Sequence, residues 1–343
     1  MRVRRIITGM ALVALLLASW SQGVRAAAVS GAVVFSYSRF GDDRAPGASI
    51  RVDQFEDHLD ELKDGDYTVL PLPKVVEALL TGGVLPDKTV AITIDEATDS
   101  VYQYAWPRLK AAGLPVTLFV ATDAVDAGLS GSMTWAEVRE LSNGGVTIGA
   151  LSASALPMPG RTPQEIQGDL ERMKARFKAE LGFVPTLFAY PHGEYSLAVR
   201  RQVAQAGFRA AFGQQSGVAY AGADPFALPR FVMNDAYGTT DRFEMAADAL
   251  PLPVFEITPA DPVLSRNPPL LGFTVPDTIG NLDQLACFAS GQGRAALERL
   301  DSNRIEVRIT DPFPPGRARV NCTLPAEDDR WRWFGVQFFI PEP

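Results

Sequence analysis

The stretch TVAITIDEATDSVYQYAWPRLKAAGLPVTLFVAT, residues 89–122, decides the fold of this chain. Its apolar run at residues 90–94 predicts a buried strand that leads directly into two carboxylates, Asp95 and Glu96. A helical pattern follows at residues 101–112, and then comes a second apolar strand. Folds with parallel strands place their chemistry where strands end. The stretch therefore predicts an α/β fold with Asp95 and Glu96 at its functional edge.

Strand and helix patterns alternate over the first part of the chain, which we expect to form one domain at residues 29–250. The predicted strands are residues 33–37, 90–94, 116–120, 146–148, 187–190, 210–212 and 230–232. The predicted helices are residues 52–64, 72–80, 101–112, 135–142, 163–181, 198–206 and 240–249. Alternation of this kind indicates parallel strands joined by helical crossovers.

The pattern changes after the Leu-Pro-Leu-Pro sequence at residues 250–253. Beyond it turn residues are frequent, and apolar residues alternate with polar ones, as at Ile305, Val307 and Ile309. A period of two is typical of half-buried strands. Residues 254–343 are therefore predicted to form a small all-β, sandwich-like domain. Its pair Trp331 and Trp333 shares one strand face, which suits either a sugar-stacking surface or a sandwich core.

The first 28 residues have the pattern of a secretory signal peptide. Three arginines precede an apolar run that is too short to favour a transmembrane anchor. We therefore expect a periplasmic or secreted protein with no transmembrane segment after signal removal. In an exported protein Cys287 and Cys322 are expected to form a disulfide, with two buried free thiols as the alternative.

The net charge of −8 argues against a nucleic-acid partner, because a polyanion would be repelled. It does not exclude a neutral or cationic sugar polymer.

Five blocks of sequence, in the same order, resemble the polysaccharide deacetylase (NodB-homology) superfamily, nearest its exported poly-N-acetylglucosamine deacetylases. They are FSYSRF at 35–40, residues 52–62 with LPDK at 85–88, TIDEATD at 93–99, the segment 133–149 that begins MTW, and FAYPHGEY at 188–195. The resemblance implies a distorted (β/α)7 barrel. It also implies metal-assisted amide hydrolysis, in which one Asp and two His hold a divalent metal, usually zinc, and a neighbouring Asp acts as the base.

The resemblance places Asp95 at the catalytic base position and Glu96 where the family has its metal-binding Asp. The two metal-binding histidines of the family fall on Leu151 and Ala155, neither of which can bind a metal. The histidine of the opening block falls on Ser38. We therefore expect no metal cofactor.

The whole chain has two histidines, so no shift of the alignment can rebuild a His-x-x-x-His pair. His58 lies among charged residues of a predicted helix, and we expect it to be solvated. His192 falls where the family contributes a backbone N–H to the oxyanion hole. By the same resemblance Glu96, Tyr190, Pro191 and His192 are the expected substrate-binding residues.

Three hypotheses for function follow from these residues. The favoured one is a family member that binds a polysaccharide, with N-acetylglucosamine as the expected sugar, and has lost or weakened its metal-dependent deacetylation. The second is a working carbohydrate deacetylase whose zinc or other divalent metal is held by Asp95, Glu96 and His192. The third is an envelope scaffold that contacts no sugar.

Overall fold

The computed structural model describes residues 30–301 and 303–342, so the predicted signal peptide lies outside the described residues and stays a prediction. The first eleven strands are β1 (Gly31–Tyr37), β2 (Arg39–Phe40), β3 (Ser49–Ile50), β4 (Thr68–Val69), β5 (Thr89–Asp95), β6 (Val116–Val120), β7 (Thr147–Ala150), β8 (Leu187–Ala189), β9 (Ala210–Phe212), β10 (Ala219–Tyr220) and β11 (Phe231–Val232). The helices are α1 (Val52–Asp64), α2 (Leu72–Thr81), α3 (Trp106–Ala112), α4 (Thr122–Asp126), α5 (Trp135–Asn143), α6 (Pro163–Leu181), α7 (Leu197–Gln205) and α8 (Thr240–Ala247).

Nine of these strands form one sheet in the order β10-β1-β5-β6-β7-β8-β9, with β11 also beside β1 and β4 beside β5. All of its pairs are parallel except the pair of β1 and β10. Because β5 to β9 are neighbours in chain order, successive crossovers advance in one direction around the sheet.

The sheet curls until distant strands touch. The rings of Phe119 on β6 and Phe212 on β9 lie 5.9 Å apart, although two strands separate β6 from β9 in the sheet. Along β5, Val90, Ile92 and Ile94 pack with the helices in one cluster, while Ala91 shares the interior cluster with Phe119 and Phe212. The predicted α/β barrel-type fold is confirmed.

The helix predicted at residues 101–112 begins with a wider turn. Residues Val101–Ala105 form a π-helical turn, and α3 starts only at Trp106, whose N–H bonds to the carbonyl of Val101. Pro107 follows immediately and has no N–H to give to the preceding turn. A single wide turn at such a place accommodates the missing bond.

The C-terminal part is entirely β. Its strands are β12 (Leu250–Pro251), β13 (Phe255–Thr258), β14 (Leu271–Thr274), β15 (Ala286–Ala289), β16 (Gly293–Arg299), β17 (Arg304–Arg308), β18 (Gly316–Pro325) and β19 (Trp331–Ile340). They form one eight-stranded sheet in the order β12-β19-β18-β15-β16-β17-β14-β13. The rings of Phe273 on β14 and Phe334 on β19 lie 5.1 Å apart, so the sheet folds over and encloses its own core.

Two features tie the C-terminal sheet together and to the barrel. Cys287 on β15 and Cys322 on β18 lie opposite each other and form the predicted disulfide. Strand β12, which leaves the barrel, pairs in parallel with β19. Trp333 is buried edge-on against Phe231 of the barrel, whereas Trp331 is 36% exposed. The predicted division of the chain at residues 250–254 stays a prediction.

The solvated position expected for His58 is wrong. Its imidazole is fully buried, stacked 4.1 Å from the Phe243 ring. Nε2 lies 3.0 Å from the Gly238 carbonyl and must donate to it, so Nδ1 accepts from the Tyr37 hydroxyl at 2.9 Å. The helix face that carries His58 packs inward, on the same side as Leu59 and Leu62. Within residues 30–301 and 303–342, every helix is too short or too polar to span a membrane.

Removing the disulfide should destabilise the protein. The bond closes a loop of 35 residues, and the chain-entropy relation assigns such a loop about 4 kcal/mol of stability. We expect the Cys287→Ala/Cys322→Ala variant to unfold at lower denaturant concentration by that free energy, with the oxidised wild type as reference. Equal midpoints for wild type and variant would show that the bond adds nothing.

His58 should make the protein less stable in mild acid. Burial lowers the pKa of His58 from 6.5 to about 4, against the opposing effect of its bond to the Gly238 carbonyl. Between these values the unfolded chain binds one more proton, so stability falls as pH falls through this window, by roughly 3 kcal/mol in all. Denaturant unfolding of wild type and His58→Gln should show a flatter pH profile for the variant. Parallel profiles would contradict the prediction.

Candidate functional site

A buried ion pair occupies the carboxyl end of β5. Alternation along β5 turns Asp95 into the barrel, where it is 5% exposed, and it meets Arg230, which is fully buried. Nη1 of Arg230 lies 2.6 Å from Oδ1 of Asp95 and Nη2 lies 2.8 Å from Oδ2, so the guanidinium donates a hydrogen bond to each carboxylate oxygen. Such two-point contacts are the strongest side-chain hydrogen bonds in proteins.

Arg230 joins three parts of the barrel. Its Nε donates to the Gly213 carbonyl at 2.9 Å, just after β9, and Nη1 also donates to the Thr93 hydroxyl on β5 at 3.1 Å. The guanidinium carbon lies 5.4 Å from the centre of the Phe119 ring on β6. Arg230 itself directly precedes β11. Its side chain therefore closes the seam between the two edges of the curled sheet.

Two weaker contacts complete the surroundings of Asp95. The Ser36 hydroxyl on β1 donates to Oδ2 at 3.4 Å, and Nε2 of Gln214 donates to the same oxygen at 3.3 Å. Asp95, expected at the base position, is thus oriented by Arg230, Ser36 and Gln214, and the Arg230 guanidinium opposes its charge.

Glu96 lies at the rim. Its backbone has a left-handed conformation, φ 70°, while its N–H still bonds to the Phe119 carbonyl at 2.9 Å. This turn takes its side chain out of the interior, where it is 34% exposed and 3.7 Å from the Arg39 guanidinium. Partial burial raises the pKa of Glu96, Arg39 opposes that shift, and Asp95 adds to it. Glu96 is the acid of the pair that a ligand could reach.

Leu151 and Ala155 present hydrocarbon, not ligand atoms. Leu151 is buried in the interior cluster with Phe119 and Phe212, and Ala155 is half-buried beside the same cluster. The loop between them is fixed from α6, because the buried carboxylate of Asp169 accepts from the backbone N–H groups of residues 153 and 154 at 2.7 and 3.2 Å.

The residues present do not fit a metal ion. In the described parts of the chain, no three His, Cys, Asp or Glu side chains are grouped so that they could share one. Asp95, Glu96 and His192, the alternative metal-binding set, are therefore not grouped closely enough to share a metal ion. Asp95 is engaged with Arg230, and Leu151 and Ala155, the predicted positions of the family histidines, have hydrocarbon side chains. No chemical step through a metal follows from these residues.

The block FAYPHGEY at residues 188–195 places only one of its predicted substrate contacts at the surface. Tyr190 is fully buried, with its hydroxyl donating to the Phe226 carbonyl at 2.9 Å, and Pro191 is buried as well. Their side chains therefore face the interior, and their predicted contact with substrate stays a prediction. His192 is exposed in a left-handed conformation, φ 57°. Partial burial and then Arg317 lower its pKa, while Asp95 opposes the shift.

Sequence reasoning missed Arg230, the main partner of Asp95. A signal existed: Arg230 is the single charged residue in the otherwise apolar run ALPRFVM at residues 227–233. An arginine at such a position has to be exposed or paired with an acid. The sequence does not say which acid, because Asp95 is 135 positions away.

Comparison with known proteins gives a consistent family. Residues 82–211 match the family model described as "Polysaccharide deacetylase". The chain is 29% identical over 187 residues to the Bacillus subtilis (strain 168) protein named "Putative polysaccharide deacetylase YxkH". That match covers 54% of this chain and 66% of the relative, just under two thirds of its length.

This chain carries a polysaccharide deacetylase domain. The match of the family model is confined to residues 82–211. Solved structures share its fold. The Streptococcus pyogenes deacetylase PplD in complex with acetate superposes with a TM-score of 0.59 at 19% identity, over 64% of this chain and 99% of that chain. IcaB from Ammonifex degensii superposes with a TM-score of 0.57 at 24% identity, over 64% of this chain and 98% of that chain.

Breaking the Asp95–Arg230 pair should be strongly destabilising. Arg230→Met leaves a buried carboxylate without a counter-charge, at an expected cost of about 3–5 kcal/mol. The double variant Asp95→Asn/Arg230→Met leaves no lone charge, so its loss of stability should be smaller than the sum of the two single losses. Chemical denaturation of all four proteins measures this coupling.

The matched control is Arg308→Met, which removes an arginine from the exposed pair of Arg308 and Glu298. A surface pair of this kind contributes at most about 1 kcal/mol. Additive losses at Asp95 and Arg230, or an equal loss at Arg308, would refute a special role for the buried pair.

Proposed function

We propose that this protein binds a polysaccharide containing N-acetylglucosamine at the rim of its barrel, in the periplasm or outside the cell, and that its metal-dependent deacetylation is lost or weakened. The observation that carries the proposal is Leu151. Where the family resemblance expects an imidazole, the chain has a buried aliphatic side chain packed among aromatic rings.

The chemistry of amide hydrolysis supports the second half of the proposal. A bound divalent metal lowers the pKa of water from about 15.7 to about 7, which supplies the nucleophile near neutral pH. Without it a carboxylate such as Asp95 must deprotonate ordinary water, which is a far weaker acid. A well-oriented base therefore does not by itself give a working deacetylase.

The rim supports the first half of the proposal. Glu96 and Arg39 place an acceptor and several donors side by side and partly in contact with solvent. The exposed imidazole of His192 adds a group that can accept or donate. Its loop follows β8, which runs parallel to β5 in the sheet, so the two strands end at the same edge of the barrel. Neighbouring donors and acceptors of this kind match the hydroxyl and acetamido groups of a sugar.

The decisive experiment measures binding and turnover on the same protein. Poly-N-acetylglucosamine oligomers are titrated calorimetrically into the purified protein, and acetate release is followed with and without added zinc. We expect binding without acetate release above the protein-free rate. Glu96→Gln should weaken binding about tenfold, the equivalent of one hydrogen bond to a charged group. Glu77→Gln, an exposed acid on α2, is the matched control and should bind as wild type.

Each other result has a definite meaning. Stoichiometric zinc together with acetate release that is lost in Glu96→Gln would establish the active deacetylase and reject the proposal. Failure to bind any sugar on a broad glycan array would instead favour the scaffold that contacts no saccharide.

A further inference from the structure

The C-terminal sheet holds the loop that carries His192. Nε2 of Gln337 on β19 donates to the His192 carbonyl at 3.0 Å. Gln337 is itself held, because Nε of Arg319 on β18 donates to its Oε1 at 2.9 Å. Both side chains lie on the same sheet face, since Arg319 and Gln337 are directly opposite in the register of β18 and β19. The amide of Gln337 therefore has one available orientation.

The loop needs such support. His192 and Gly193 both have left-handed backbones, with φ 57° and 71°. A non-glycine residue in this region stores about 1 kcal/mol or more of strain. Gly193 is required, because a β-carbon there would lie 2.4 Å from the backbone nitrogen of Gln214. A contact from outside the loop, such as the bond from Gln337, helps to keep the His192 peptide in this orientation.

A second contact brings a charged side chain close to the His192 loop. Nε of Arg317, at the start of β18, lies 3.3 Å from Oε1 of Glu194. Glu194 is 6% exposed, whereas the Arg317 side chain is 46% exposed. A guanidinium has five N–H donors, so this ion pair leaves others facing solvent beside His192. Arg317 also acts on the pKa of His192, consistent with that proximity.

The fold shared with solved structures accounts for only part of this chain. PplD and IcaB are covered almost entirely, at 99% and 98% of their chains, yet they match only 64% of this one. The remaining part of this chain lies outside the fold that these two structures share with it.

We propose that the C-terminal sheet completes the saccharide site: Arg317 hydrogen-bonds to hydroxyl or acetamido oxygens of a bound sugar, and Gln337 is a positioning residue that holds the His192 loop. This inference rests on the proposed function. It assigns the C-terminal domain a part in one composite site, not a separate binding surface.

Two pairs of variants test the inference. Arg317→Met removes the exposed donors, and Arg308→Met is its matched control on the exposed pair with Glu298. Gln337→Glu still accepts from Arg319 but cannot donate to the His192 carbonyl. Gln292→Glu is its control, because Gln292 donates to the Asp311 carbonyl within the C-terminal sheet. All four are made in the full chain.

Two measurements are made on each variant. Hydrogen–deuterium exchange of the segment 190–196 reports loop order without any ligand, and calorimetry with poly-N-acetylglucosamine oligomers reports affinity. We expect faster exchange and several-fold weaker binding in Gln337→Glu, and about tenfold weaker binding in Arg317→Met. Both control variants should match wild type in both measurements.

The outcomes separate this inference from the proposed function. Wild-type binding that Arg317→Met leaves unchanged overturns the role of Arg317. Unchanged exchange in Gln337→Glu overturns the positioning role. In both cases the proposed function stands. Absence of binding by wild type itself rejects the proposed function, and with it the composite saccharide site.

Discussion

The ion pair between Asp95 and Arg230 is the constraint on which the barrel depends. Arg230 reaches from the segment before β11 to β5, to the end of β9 and to the face of Phe119. These elements come from distant parts of the chain and meet where the curled sheet closes. A desolvated guanidinium is costly to bury alone. Asp95 supplies the counter-charge that offsets this cost where the barrel closes around Arg230.

The same constraint shapes the site. Because Asp95 is committed to the interior, the groups left to meet a ligand are those at the rim: Glu96, Arg39 and His192. Leu151 lies in the hydrocarbon interior with Phe119 and Phe212, and Ala155 is half-buried beside them. The chain thus combines the deacetylase fold with an acid at the end of β5 whose main partner is an arginine. Binding a sugar requires only hydrogen-bond donors and acceptors, whereas hydrolysis also requires an activated water.

Local sequence patterns predict most helices and strands of this chain, but they do not predict which of these elements contact each other. The helices Val52–Asp64 and Pro163–Leu181 have the predicted bounds, because apolar periodicity and a capping box or N-terminal proline define them locally. The exposed, weakly alternating strand Gly293–Arg299 gave no signal. The charged sequence neighbours of His58 predict a solvated side chain, whereas its neighbours in space are the aromatic rings of Tyr37 and Phe243. Arg230 was missed as a partner of Asp95 because long-range pairing has no local signature.

The bond between Cys287 and Cys322 has a practical consequence for anyone producing this protein. Both sulfurs are buried on adjacent strands of the C-terminal sheet, so a chain made in a reducing cytoplasm would fold with two thiols sealed in that core. Oxidant added after purification would reach them only when the sheet opens. Recombinant material intended for ligand studies should be routed through an oxidising compartment and checked by thiol titration under denaturing conditions.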